Sequence, residues 1–171
     1  MNAKNLSLKI GDTDMDYIRF GSGSTPLIML PGLGDSLRTV KGMAQDNDYK
    51  SLFIDTAEKT YTEKKLRTYR PMYPFLCATT RPKSLERFLI QADACLTHDA
   101  SAELYKITCP TLVIGGGQDR IVGTYAAREL ADGIRGSIFK EYPELGHGAY
   151  EEASDFNDTV LDFLLNGEIN A

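Results

Sequence analysis

The sequence predicts an α/β domain built on a mostly parallel sheet. Three observations carry that expectation. Short apolar runs fall at 27–30 and 111–114 and a further strand-like segment at 137–142, helical patterns lie between them, and glycine-rich loops follow them. Leu27-Ile28-Met29-Leu30, set between Pro26 and Pro31, is apolar without alternation. Such a run marks a strand covered on both faces, as parallel strands are.

The elements follow in chain order. Leu6, Leu8 and Ile10 alternate with Ser7 and Lys9, and Gly11-Asp12-Thr13-Asp14 supplies a turn, so a hairpin returning along Tyr17–Phe20 is expected. The strand at 27–30 stops at Pro31-Gly32-Leu33-Gly34-Asp35-Ser36. Residues 36–44 read as a short helix, and the polar stretch 45–50, QDNDYK, as an interruption without periodicity. Helices are expected through 51–105, with Pro71 and Pro74 breaking whatever precedes Phe75. An amphipathic helix opens at Ser84 and runs to about Leu96, with Leu85, Phe88, Leu89, Ala92 and Leu96 at helical spacing. A short helix at 100–105 leads to the strand at 111–114, which Gly115-Gly116-Gly117 ends. A helix at 124–131, stopped by Gly133, leads to the strand at 137–142. One closing helix over 151–165 buries Phe156, Val160, Phe163 and Leu164.

Composition narrows the function classes. A chain of 171 residues with 42% hydrophobic and 25% charged residues is an ordinary globular domain with room for one core. The net charge of -5 and the scattering of 19 Lys and Arg argue against a nucleic-acid partner. No apolar run reaches membrane-spanning length, and the first ten residues lack the apolar core of a signal peptide. A cytoplasmic protein with no membrane partner is therefore expected. Cys77, Cys95 and Cys109 make no disulfide framework, and two histidines cannot build a multi-histidine metal site, so neither a metal nor another cofactor is expected.

The chemical signal sits in three loops at the carboxyl ends of strands, where open α/β sheets place their sites. They are Pro31-Gly32-Leu33-Gly34, Gly117-Gln118-Asp119-Arg120-Ile121-Val122, and Leu145-Gly146-His147-Gly148. In order and spacing these loops resemble the α/β-hydrolase family of serine hydrolases and esterases. The resemblance implies that Asp119 is the acid of a catalytic triad, His147 its base, and Gly32 and Leu33 the backbone donors of an oxyanion hole. Taken alone, Asp119 would equally cap the helix near Thr124. Phe88, Leu89, Tyr142 and Phe156 read as core.

The chain departs from the family in one respect. No Gly-x-Ser-x-Gly elbow is present, so the catalytic set has no nucleophile. Only sixteen residues separate Gly34 from Ser51, while one strand-helix-strand unit needs at least about 30. The expected architecture is thus a partial, three-layer α/β-hydrolase fold, internally shortened near Met43–Tyr49 and lacking its central strands. Residues 1–44 would form the first part of the core with the oxyanion loop. Residues 45–105 would form a helical cap-like segment, and 106–171 the last part of the core with the acid and histidine loops. Ser36 is the nearest hydroxyl to the glycine-rich turn, and Cys95 with His98 the other nearby pair, but neither stands in the elbow's place. The implied function is that of a small-substrate carboxylic ester hydrolase, acting on small esters or amides, with impaired catalysis. The alternative is a non-catalytic binding module on the same scaffold, completed as a homo-oligomer. Loss of the central strands also leads us to expect a poorly stable monomer.

Overall fold

The polar stretch QDNDYK is the place where one helix ends and the next begins. Helix α1 (Leu37–Gln45) closes through Asp46 N–H to the Gly42 carbonyl at 3.0 Å and Asp48 N–H to the Met43 carbonyl at 2.8 Å. Between them Asn47 takes the left-handed conformation, with φ 57°. Asparagine enters that region more readily than other side-chain-bearing residues. Asp48 then caps α2 (Tyr49–Thr60), its carboxylate accepting the Ser51 N–H at 3.1 Å. That bond holds the Asp48 carboxyl below its usual pKa. Two caps back to back leave no room for periodicity.

The computed structural model describes residues 4–10, 13–19 and 37–169. The expected strand at 27–30 and the loop carrying Gly32 and Leu33 lie outside them. The chain divides into two compact units, Met1–Gly32 and Leu33–Ala171. In the first, β1 (Lys4–Ile10) and β2 (Thr13–Arg19) form the expected antiparallel hairpin. Ile10 stands opposite Thr13, so Thr13 and Asp14 belong to the strand and the turn is shorter than the sequence implied.

Helices dominate the second unit. Thr62 caps α3 (Glu63–Tyr69), a single 3-10 turn covers Arg70–Met72, and α4 (Tyr73–Thr79) follows. α3 ends at Tyr69 ahead of Pro71, as expected, and Pro71 and Pro74 each stand in the first turn of the element that follows. A first-turn N–H has no intrahelical acceptor, so proline loses nothing there. Helix α5 (Glu86–Thr97) returns across α1, and Leu85, Phe88 and Leu89 pack on buried Ala44 and Leu52. Leu96, expected on the apolar stripe, is instead exposed. Leu66 of α3 is the largest fully buried side chain, at 2% exposure.

After a second 3-10 segment, Ser101–Lys106, comes β3 (Leu112–Gly116), which pairs in parallel with β4 (Ile138–Tyr142). Helix α6 (Ala126–Gly133) is the crossover. It covers one face of the pair, where Arg128 stacks on Phe139 at 4.6 Å and Ala127 lies against Gly115. The opposite face meets α8 (Phe156–Asn166), with the Tyr142 and Phe156 rings 6.4 Å apart. Three layers are thus present locally. The mostly parallel sheet amounts to one parallel pair, and among the described residues β3 has no second neighbour, so the sheet is not closed.

Two further expectations change. β3 continues through Gly115 and Gly116, because these glycines pair in register with Glu141 and Tyr142 and do not turn. The closing helix is two helices, α7 (Ala149–Glu152) and α8, with a break at Ala153–Asp155. Among the described residues no helix is long and apolar enough to cross a membrane. Truncating Leu66 to alanine removes the largest fully buried side chain among the described residues and is expected to lower unfolding free energy by about 3 kcal/mol in urea denaturation.

Candidate active site

The parallel pairing of β3 and β4 brings two loops together at the same sheet end. Gly117 donates to the Tyr142 carbonyl at 2.9 Å and Gln118 to the Leu145 carbonyl at 2.9 Å, tying the loop after β3 to the loop after β4. The approach is possible only without a side chain at position 116. A Cβ built on Gly116 would stand 2.2 Å from the Gly146 carbonyl oxygen and 2.5 Å from that of Leu145. Both obstacles are backbone, so neither can rotate away.

That contact sets Asp119 against His147. Asp119 is buried, at 7% exposure, and its Oδ1 accepts two amides, from Ile121 at 2.7 Å and Val122 at 3.1 Å. Its Oδ2 lies 2.9 Å from His147 Nδ1. With Oδ1 satisfied by backbone donors, Oδ2 is the acceptor, and the proton between them sits on Nδ1. The His147 side chain is one-third exposed. Asp119 does not cap α6: that helix begins at Ala126 with Tyr125 as its N-cap residue and no side-chain capping bond.

A cavity of about 410 Å³ runs beside the pair. It follows β3 from Val113 to Gly116, and Val122, Leu130, Tyr150 and Phe156 give it an apolar lining. Asp119 and His147 are the only ionisable groups among its described lining residues besides the Tyr150 phenol. Burial and the neighbouring Glu151 raise the pKa of that phenol above its usual value, so it remains a neutral hydroxyl.

Of the residues the sequence points to, Asp119 and His147 meet. Gly32 and Leu33 lie outside the described residues. Cys95 and His98 are both exposed at the end of α5. Among the described residues no cluster of three or more His, Cys, Asp or Glu could hold a metal ion.

The sequence gives little sign of the turn between α2 and α3, which backs the histidine loop. The Thr60 carbonyl accepts the Gly148 N–H at 2.8 Å, and the Tyr61 ring packs so tightly on Gly148 that a Cβ there would come within 2.7 Å of it. Tyr61 also donates to Glu151 at 3.0 Å. Its burial and that carboxylate push the phenol well above its ordinary pKa. The one signal in the sequence is Gly148 itself, a second glycine flanking the histidine.

Comparison with known proteins agrees with this architecture. The family described as TAP-like protein matches residues 92–171, just under half of the chain. A 2-hydroxy-6-oxononadienedioate/2-hydroxy-6-oxononatrienedioate hydrolase of Klebsiella pneumoniae is 42% identical over 67 residues, covering 39% of this chain and 23% of that protein. The AB hydrolase superfamily protein YisY of Bacillus subtilis is 39% identical over 66 residues, covering 38% and 25%. The solved enol-lactonase of Burkholderia xenovorans superposes with a TM-score of 0.67 at 23% identity, covering 77% of this chain and 50% of that one. These matches make the chain similar to α/β-hydrolase superfamily proteins over its C-terminal part, and its fold is incomplete beside that of the complete lactonase. The matched stretch spans about a quarter of the length of these curated relatives.

Gly116→Ala drives a methyl group into two carbonyl oxygens and is expected to cost more than about 3 kcal/mol of stability, measured by urea denaturation.

Proposed function

We propose that this chain is a small-substrate carboxylic ester hydrolase scaffold that keeps its acid and base and has lost its nucleophile, so that catalysis is impaired. The single observation that supports the reading most strongly is the 2.9 Å contact between His147 Nδ1 and an Asp119 carboxylate anchored by two amides. The similarity to hydrolases that act on small organic molecules supports the substrate class.

In this reading Asp119 fixes the imidazole tautomer and stabilises imidazolium when His147 gains a proton. Without a serine, the remaining route is general-base activation of water. His147 Nε2 takes a proton from water as the oxygen adds to the ester carbonyl carbon. The tetrahedral intermediate then expels the alkoxide, which takes the proton back from imidazolium. Gly32 and Leu33 would supply the amides that stabilise the oxyanion. This route forgoes covalent catalysis and the positioning of the attacking atom, so turnover is slow.

A second reading, a binding module for small apolar molecules, draws on the cavity beside β3, whose lining is apolar except near the acid–base pair.

The experiment is a p-nitrophenyl acetate assay run beside labelling with a fluorophosphonate serine probe. The account expects no stoichiometric labelling, and a slow turnover that falls to the uncatalysed rate in His147→Ala. One mole of label per chain, with fast turnover, would replace the proposal with that of an intact serine hydrolase.

A further inference from the structure

The C-terminal end of α2 touches both functional loops at once. The last carbonyls of a helix have no intrahelical donor. Here the Glu58 carbonyl takes a hydrogen bond from the Arg120 guanidinium, next to Asp119, and the Thr60 carbonyl takes one from the Gly148 N–H, next to His147. Two loops from different strands thus cap one helix.

The following residues strengthen the hold. Thr62 donates its N–H to Glu152 at 2.9 Å and its hydroxyl to the other oxygen of the same carboxylate. Glu151, one residue earlier, receives the Tyr61 hydroxyl at 3.0 Å and that of Tyr69 at 3.4 Å. The Tyr61 and Tyr69 rings meet edge to face at 5.0 Å. Glu151 and Glu152 belong to α7, the short helix that Gly148 opens directly after His147. The histidine is therefore held from the sheet side by Asp119 and from the far side by residues 60–62.

From this geometry we infer that the Thr60-Tyr61-Thr62 turn is the positioning element of the acid–base pair, with Tyr61 and Thr62 as positioning residues that act through Glu151, Glu152 and Gly148. The helical segment then fixes the His147 ring as well as covering the site. Displacing the turn frees α7 and the histidine together while leaving β3 and β4 paired. The inference rests on the reading of Asp119 and His147 as a working acid–base pair.

The test follows the His147 Nδ1–H proton by NMR on the full chain, assigned by its loss in His147→Ala. Exposed His98 serves as the internal reference. Wild-type chain should show a downfield, exchange-protected resonance. In Thr62→Ala its exchange with water should speed by about tenfold, since the hydroxyl bond to the Glu152 carboxylate is lost and only the backbone N–H bond remains, while β3 and β4 amides keep their protection. Thr62→Ser, which keeps the hydroxyl donor, should restore the wild-type rate. If Thr62→Ala does not melt cooperatively, Tyr61→Phe carries the same reading at about threefold, because it deletes one bond and keeps the ring. An unchanged His147 exchange rate in the variant that folds overturns the positioning role alone. Absence of the resonance in wild-type chain removes the acid–base pair, and the positioning role with it.

Discussion

Everything distinctive about this molecule depends on the approach of two loops across Gly116. Parallel pairing of β3 with β4 sets their carboxyl ends side by side, and the missing side chain at position 116 lets the backbone of one loop rest on the other. The short bond from His147 to Asp119 follows from that contact. A buried carboxylate costs free energy unless it is satisfied. Asp119 meets that requirement with two amides of its own loop and the imidazole of the next. The pair is accordingly a structural clasp between the two loops.

The helical segment takes part in the same clasp. In the joining stretch Asn47 and Asp48 terminate one helix and start another within three residues, so α1 and α2 form a well-capped corner. The far end of α2 then contributes its free carbonyls to the functional loops. A helix whose two ends are committed in this way links the α1–α2 corner to the loops that carry Asp119 and His147. Incompleteness of the sheet is a separate matter, confined among the described residues to the unpartnered edge of β3 and the apolar cavity along it.

Much of this was legible in the residues. The apolar run at 111–114 and the strand-like segment at 137–142 located both strands of the parallel pair, and the Asp119 and Gly146-His147-Gly148 loops were identifiable because turn residues and chemistry coincide at strand ends. Other features were hidden by the physics of short-range signals. Gly115 and Gly116 read as a turn, yet they continue β3, because close approach and turning both select glycine. Pro71 and Pro74 read as breakers, and α3 does end ahead of them, yet they also open helical turns, since proline's missing N–H matters only after the first turn. The Thr60–Thr62 contacts join residues some ninety positions apart, and no periodicity encodes a bond of that kind. The paired Glu151 and Glu152 look like ordinary surface charges until their partners are known.

The central claim is that Asp119 and His147 form one coupled unit in the folded chain. A double-mutant cycle on unfolding free energy, using Asp119→Asn, His147→Gln and the double substitution, measures that coupling directly. Residues sharing a charge-assisted hydrogen bond should give an interaction energy of at least about 1 kcal/mol. Additive effects, agreeing within about 0.3 kcal/mol, would contradict the account.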